Sequence, residues 1–126
     1  MNSTPEVVEY LKQAREKIEV ARLLRDAQKY NDAISRVYYA FFDAATASLL
    51  TKGVEARTHQ GVVILFQQHF IHPGLVSPEI GRWLARAKEA REEADYEIFK
   101  QFDQATVDAG IRAAEAFVSA VESLLV

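Results

Sequence analysis

The stretch Ser35-Arg36-Val37-Tyr38-Tyr39-Ala40-Phe41-Phe42-Asp43 decides the fold class of this chain. On an α-helix, residues three and four positions apart share a face. Arg36, Tyr39 and Asp43 therefore form a polar row, which suits either a solvated edge or a polar site on a rigid helix. The apolar and aromatic side chains turn mostly to the other side: Ile34, Val37, Tyr38, Phe41 and Phe42. Because aromatic burial contributes strongly to core stability, this face predicts a helix at the centre of a bundle.

Helical periodicity extends outward from this stretch and predicts five helices in all. The central helix is expected to begin at Asn31 or Asp32, to run to Lys52 and to stop at Gly53. The other four helices each follow a capping residue: Thr4, Thr58, Ser77 and Asp103. The first should end near Gln28 or Lys29, the third before His72, and the fourth near Tyr96. No strand pattern or internal repeat interrupts them, so the sequence predicts an all-α, five-helix up-and-down bundle.

Composition limits the possible classes of protein. The chain has 126 residues, 49% of them hydrophobic and 26% charged, which is typical of one globular domain spanning residues 1–126. The absence of cysteine excludes disulfides and thiolate chemistry. A net charge of −3 argues against general polyanion binding, so any RNA contact needs a local basic site. Neither a secretory signal nor a transmembrane run is recognised, and a cytoplasmic protein is expected.

Three histidines, His59, His69 and His72, are present, but none belongs to a His-x-x-x-His or Glu-x-x-His pair of the kind that binds metal in helical bundles. The expectation is therefore a protein without a metal or other cofactor.

The segment Arg57-Thr58-His59 is a candidate anion site. If Thr58 caps the third helix, His59 lies in the first turn, where free backbone N–H groups attract anions. The guanidinium of Arg57 has a shape that suits phosphate. The alternative is that Arg57 is a solvated loop residue and that His59 bonds only a neighbouring side chain.

The segment Arg91-Glu92-Glu93-Ala94-Asp95-Tyr96 closes the fourth helix. Arg91 and Asp95 are four residues apart and can pair along the helix. Charge runs of this kind usually form a solvated face. However, Arg91 and Tyr96 among carboxylates also provide donors and acceptors that a core does not need, so a polar site is the competing interpretation.

The whole chain resembles a HEPN domain, the nucleotide-binding helical domain of higher eukaryotes and prokaryotes, and most closely its small stand-alone bacterial and archaeal branch. The resemblance is carried by residues 33–42, by Lys52-Gly53, by 57–61, which read Arg-Thr-His-Gln-Gly, and by 91–96. It implies a bundle of four or five helices that commonly dimerises. It also implies a protein that is often a metal-independent ribonuclease, and one often encoded beside a minimal nucleotidyltransferase as a toxin–antitoxin pair.

One departure from the family pattern bears on activity. The family's ribonuclease motif is an Arg followed after four to six residues by His, whereas here four residues after Arg91 lead to Tyr96. A histidine titrates near neutral pH, whereas a tyrosine hydroxyl is a poor base there. The resemblance therefore implies Arg91 and Tyr96 as groups that contact RNA or nucleotide. Tyr96 is also a candidate acceptor of a nucleotide from a partner enzyme, and His59 is a replacement imidazole only if folding brings it close.

Three functions remain open. The first is a HEPN-type module, nucleotide- or RNA-binding, that acts with a nucleotidyltransferase or other partner in a toxin–antitoxin-like system and has no strong ribonuclease activity. The second is a divergent metal-independent ribonuclease with Arg91, Tyr96 and His59 as catalytic candidates. The third is a purely structural dimerising bundle. A homodimer is expected in each case. The predicted nucleotide- or RNA-binding residues are Arg36, Tyr39, Arg57, His59, Arg91, Asp95 and Tyr96, and all of these except Arg57 are expected to converge in space.

Overall fold

Five α-helices build the chain in the computed structural model, which describes residues 3–125. They are α1 (Pro5–Asp26), α2 (Tyr30–Leu50), α3 (His59–Phe66), α4 (Pro78–Tyr96) and α5 (Gln104–Ser123). A π-helical turn, Gln67–Ile71, continues α3, and no strand occurs within residues 3–125. Over the same residues, no helix is long and apolar enough to cross a membrane. The all-α, five-helix prediction is confirmed.

Four helices begin where the capping residues predict. The side-chain oxygens of Thr4, Thr58, Ser77 and Asp103 each accept a hydrogen bond from the backbone N–H three residues later, at 2.8–3.4 Å. Each bond satisfies one of the N–H groups that a helix leaves without an internal partner. The caps therefore fix the starts of α1, α3, α4 and α5.

The start of α2 differs from the prediction. This helix begins at Tyr30, and its N-cap residue, Lys29, makes no side-chain capping bond. The side chain of Asn31, one of the two predicted caps, is occupied elsewhere. It donates to the carbonyl oxygen of Lys100 at 2.8 Å and accepts from the N–H of Phe102 at 3.0 Å. Asn31 thus fastens the loop between α4 and α5 to α2 instead of capping its own helix.

Helix α2 lies at the centre of the bundle and packs against all four other α-helices. Tyr38 and Phe41 are fully buried, and the Phe41 ring lies 4.9 Å from that of Phe117 in α5. Phe42 is half-buried against the core. The central placement predicted from the aromatic face is confirmed.

The polar row predicted on α2 does not act as one unit. Arg36 is exposed, whereas Asp43 is only 5% exposed and forms an ion pair with Lys17 of α1. Burial raises the pKa of the Asp43 carboxyl, and the hydrogen bond and charge of Lys17 oppose that shift. Asp43 is therefore part of the α1–α2 packing, because α2 is enclosed on more sides than its sequence pattern suggested.

Helices α1 and α5 are joined along their length by a row of arginine–carboxylate pairs. Three arginines of α1 each bond an acidic residue of α5: Arg15–Glu122 at 2.6 Å, Arg22–Glu115 at 2.5 Å and Arg25–Asp108 at 3.1 Å. Residue numbers rise along α1 as they fall along α5, so the two helices run antiparallel. This row, the α1–α5 seam, connects the first and last helices of the bundle.

Candidate functional site

His59, the first residue of α3, is held by aromatic side chains of α2. Its Nδ1 lies 2.6 Å from the hydroxyl oxygen of Tyr38, and its ring stacks on Phe42 with the ring centroids 4.6 Å apart. The Tyr39 ring meets it edge-on at 6.1 Å. The cap at Thr58 fixes the start of α3, so the imidazole is placed by both helices.

The protonation of this pair follows from its surroundings. Burial, followed by the positive charges of Arg91 and Lys88, lowers the pKa of His59. Burial raises the pKa of Tyr38, so the phenol keeps its proton. The protonated Tyr38 hydroxyl and Nδ1 of the neutral imidazole therefore share one hydrogen bond, which the phenol donates when the imidazole proton is on Nε2 and accepts when that proton is on Nδ1. Nε2 makes no hydrogen bond within the described residues, and it is the ring nitrogen that can meet a ligand.

Arg91 of α4 reaches into the same cluster. Its guanidinium carbon lies 5.3 Å from the ring centroid of Tyr38 and 5.9 Å from those of Tyr39 and Tyr96. Distances below about 6 Å permit cation–π attraction. The side chain is only 12% exposed, so three aromatic rings hold a largely desolvated cation in a fixed position.

Asp95 orients this arginine and ties α4 to α2. One carboxylate oxygen pairs with Arg91 at 3.3 Å, and the other accepts a 2.7 Å hydrogen bond from the hydroxyl of Ser35. Asp95 is the only carboxylate in ion-pair contact with Arg91 among residues 3–125. The formal charges of Arg91 and Asp95 balance, and Nε of Arg91 is buried without a hydrogen-bond partner within the described residues.

Arg36 lies beside the cluster at the surface. It lines a groove of about 330 Å³ together with Asp32, Ser35, Tyr39 and Asp95, so the groove holds two carboxylates as well as the guanidinium. Within residues 3–125 its side chain makes no ion pair or hydrogen bond. Its charge is thus available to a ligand in the groove.

Tyr96 ends α4 with its side chain 73% exposed. It lines a shallow groove whose other residues are all acidic: Glu89, Glu92, Glu93 and Glu97. Tyr96 has Arg91 on one side and glutamates around the rest of its ring. It therefore lies at the border between the cluster around Arg91 and an acidic surface.

Of the predicted site residues, the structure brings Tyr39, His59, Arg91, Asp95 and Tyr96 into one cluster, with Arg36 in the adjoining groove. Arg57 is not among them. It is exposed and lines a separate groove of about 310 Å³ that contains Tyr10 and Thr46 and no other predicted site residue. The loop before Thr58 directs it toward α1 and the end of α2.

Sequence reasoning missed three members of the cluster. Tyr38 and Phe42 had been assigned only to the core, and Ser35 had been given no role. A signal was present for Tyr38, because a tyrosine on an otherwise apolar face needs a partner for its hydroxyl when it is buried.

Among residues 3–125, no three His, Cys, Asp or Glu side chains are grouped so that they could hold a metal ion.

Comparisons with known proteins agree with this architecture. A family model described as the HEPN domain matches residues 7–124. A UPF0332 protein of Thermotoga maritima is 36% identical over 126 residues, a match that covers 99% of this chain and 96% of that protein. A protein of Methanocaldococcus jannaschii named "Putative toxin" is 33% identical, with 89% of this chain and 83% of that protein covered. A UPF0332 protein of Gloeobacter violaceus is 37% identical over 74% of each chain. Because this family model matches nearly the whole length of the chain, the chain belongs to the HEPN domain family.

Proposed function

We propose that this chain is a toxin-like HEPN module that binds RNA or a nucleotide through the cluster between α2, α3 and α4. The observation that carries the proposal is the position of Arg91, a largely buried cation under three tyrosine rings beside a neutral imidazole. Core packing does not require such an arrangement. Two relatives that are named as putative toxins support a toxin-like function.

Each group has a role that suits its position. Arg91 and Arg36 supply cations for phosphate, the latter from the open groove. The exposed ring of Tyr96 and the half-buried ring of Tyr39 offer surfaces on which a base can stack. Nε2 of His59 can donate a hydrogen bond to a phosphate or base oxygen. The four glutamates around Tyr96 repel a phosphate chain more strongly than the two carboxylates in the groove of Arg36, so in this proposal RNA enters from the side of Arg36.

Fluorescence anisotropy with labelled single-stranded RNA tests this assignment. Arg91→Ala should weaken binding at least about tenfold, since a desolvated charge contact is worth more than a surface contact. Arg112→Ala, an exposed arginine on α5, is the matched control and should leave affinity within about twofold. Equal affinity of wild type and Arg91→Ala would refute the site. No binding by the wild type would favour the purely structural interpretation.

The partner in this proposal is a nucleotidyltransferase, as the family resemblance implies. Tyr96 is the candidate acceptor, because its hydroxyl belongs to an exposed side chain. In that step the phenol oxygen bonds to the α-phosphorus of a nucleoside triphosphate, pyrophosphate leaves, and the phenol proton passes to solvent. Mass spectrometry of the chain co-expressed with its gene neighbour would show the added nucleotide, and Tyr96→Phe should abolish it. An unmodified wild-type chain would contradict this part of the proposal.

A ribonuclease is the second candidate, and the position of His59 favours it. The imidazole lies in the same aromatic cluster as Arg91, and its lowered pKa keeps it neutral near pH 7. In the tautomer whose Nδ1–H donates to the Tyr38 oxygen, Nε2 is free to accept a proton. Our primary expectation is nevertheless weak or no intrinsic cleavage, because Tyr96 stands where the family motif has histidine. Purified protein should leave mixed RNA intact. Robust cleavage that is lost in both His59→Ala and Arg91→Ala would establish the ribonuclease instead.

A further inference from the structure

The groove that contains Arg57 holds a second group of polar side chains, which the proposed function leaves unused. It lies between the start of α1, the second half of α2 and the loop that leads into α3. Phe42, Leu49 and Val62 line it with apolar surface, and Phe42 is the ring that stacks on His59. We refer to this cavity of about 310 Å³ as the Arg57 groove.

Charged side chains surround this apolar surface without pairing with one another. Glu6, Glu55 and Arg57 all line the groove, and all three are exposed. None of them makes an ion pair or a side-chain hydrogen bond within residues 3–125. Opposite charges therefore share one groove without neutralising each other by contact. The groove offers one positive and two negative groups to a ligand.

Two hydroxyl groups of the Arg57 groove also lack partners. The half-buried Tyr10 lines the groove, and its hydroxyl makes no hydrogen bond among the described residues. Thr46 lines it as well, and its Oγ1 is buried without a hydrogen-bond partner in the same part of the chain. Buried polar atoms are nearly always hydrogen-bonded in folded proteins. Apolar surface with a few unpaired polar groups is typical of a small-molecule site.

Volume and charge together select the class of ligand. An apolar cavity of about 150 Å³ accommodates one benzene ring. The Arg57 groove, at about 310 Å³, has room for such a ring and for a short polar group attached to it. A ligand that is only a cation would pair with the glutamates but meet the charge of Arg57, and a ligand that is only an anion would have the opposite conflict. A zwitterion satisfies both signs of charge.

From these observations we infer that the Arg57 groove binds a free amino acid with an aromatic side chain. The ligand carboxylate pairs with Arg57, the ammonium pairs with Glu6 or Glu55, and the ring lies on the apolar surface that includes Phe42. A residue within a peptide lacks at least one of these two charges, so the free amino acid is the better match. Because Phe42 also stacks on His59 at 4.6 Å, the bound ligand changes the surroundings of that imidazole.

An NMR titration of the full chain with L-phenylalanine tests the site. We expect saturable shifts of the His59 imidazole resonances with a dissociation constant of about 1 mM, as suits a ligand of this size. Phenethylamine lacks the carboxylate and 3-phenylpropionate lacks the ammonium, so each should bind at least about tenfold more weakly. No saturable shift with L-phenylalanine up to about 10 mM would overturn the inference. Saturable shifts that leave His59 unaffected would place the ligand elsewhere and would overturn it as well.

Matched changes in the protein and the ligand identify the contacts. Arg57→Gln should weaken binding of L-phenylalanine at least about tenfold and leave binding of phenethylamine within about twofold. The double variant Glu6→Gln with Glu55→Gln should weaken L-phenylalanine by a similar factor and leave 3-phenylpropionate bound at least as tightly. Arg82→Gln, which changes an exposed arginine of α4, is the control and should bind all three ligands as the wild type does. All four side chains are exposed, so circular dichroism should show an unchanged fold. Equal affinity of the wild type and Arg57→Gln for L-phenylalanine would overturn the inference.

Discussion

The hydroxyl oxygen of Tyr38 lies 2.6 Å from Nδ1 of His59, in a contact that joins the centre of the bundle to the candidate site. Tyr38 is fully buried in α2, whereas His59 opens α3 and is partly accessible. A core residue therefore fixes the orientation of a surface imidazole by bonding its Nδ1. This contact leaves Nε2 as the ring nitrogen available to a ligand.

Replacing Tyr38 by Phe should remove this control. We expect the ¹⁵N chemical shifts of His59 to change from those of one dominant tautomer to those of a mixture, because no hydroxyl then bonds Nδ1. The free energy of unfolding should fall by about 1 kcal/mol, the usual contribution of one hydrogen bond. Tyr39→Phe, the neighbouring tyrosine, serves as the control. Unchanged ¹⁵N chemical shifts of His59 in Tyr38→Phe would show that another group sets the tautomer.

Arg91→Gln should raise the pKa of His59 while leaving it below its ordinary value. Burial is the main cause of the low pKa of His59, and it persists in the variant. The positive charge of Arg91, which also lowers that pKa, is lost. An NMR titration of the imidazole resonances measures the shift. Arg112→Gln should leave the titration unchanged, and an unaltered His59 titration in Arg91→Gln would mean that the two groups do not interact.

His59 should also give stability a defined pH dependence. Its pKa in the folded protein lies below the unfolded value of about 6.5, so the folded state binds fewer protons in that range. The contribution is fully present above about pH 6.5 and is lost as pH falls through the folded pKa. Urea denaturation should therefore show a steeper loss of stability in wild type than in His59→Gln from about pH 7 to about pH 5. Parallel curves would contradict this.

Lys17→Met should destabilise the fold at neutral pH by about 2 kcal/mol, because the buried carboxylate of Asp43 loses its only charged partner among the described residues. The loss should shrink as pH falls. Burial raises the pKa of Asp43, so the carboxyl becomes neutral on acidification and no longer needs a cation. The double variant with Asp43→Leu should be closer to wild type at neutral pH. If Lys17→Met is harmless, the pair does not stabilise the α1–α2 contact.

Gly81→Ala should cost about 1 kcal/mol, because overpacking outweighs the gain in helix propensity. A Cβ at this position in α4 would lie 2.7 Å from Cδ1 of Ile71, a buried residue in the π-helical turn. Shortening that neighbour with Ile71→Val should recover part of the loss. Thermal unfolding of the two single variants and the double variant measures the coupling. Gly110→Ala, with its nearest contact at 3.3 Å, should cost less.

Local signals in the sequence predicted most of the fold. Thr4, Thr58, Ser77 and Asp103 mark helix starts through bonds to residues three positions away, and such bonds are visible in sequence. The start of α2 was missed because Asn31 uses its amide on the loop near residue 100, a contact that spans about seventy positions. The π-helical turn at Gln67–Ile71 carried no recognised signal.

The candidate site was predictable only in its residue types. Arg91 with Asp95 could be paired along one helix, and the ion pair is present. The contact of Tyr38 with His59 could not be foreseen, because it depends on how α3 packs across α2. Arg57 and Asp43 show the same limit. Arg57 has a side chain that suits phosphate, and Asp43 has one that suits a polar row on α2. Tertiary packing nevertheless places Arg57 in another groove and Asp43 against Lys17.

The α1–α5 seam has a consequence for the order in which the protein acquires its structure. Arg15 and Glu122 are 107 positions apart, so α1 lacks its charged partners in α5 until that later helix has been synthesised. Closing so long a loop costs entropy before the contact is gained. The bundle therefore closes after the ribosome has made α5, and a truncated chain that ends before α5 leaves Arg15, Arg22 and Arg25 without their acidic partners on that helix.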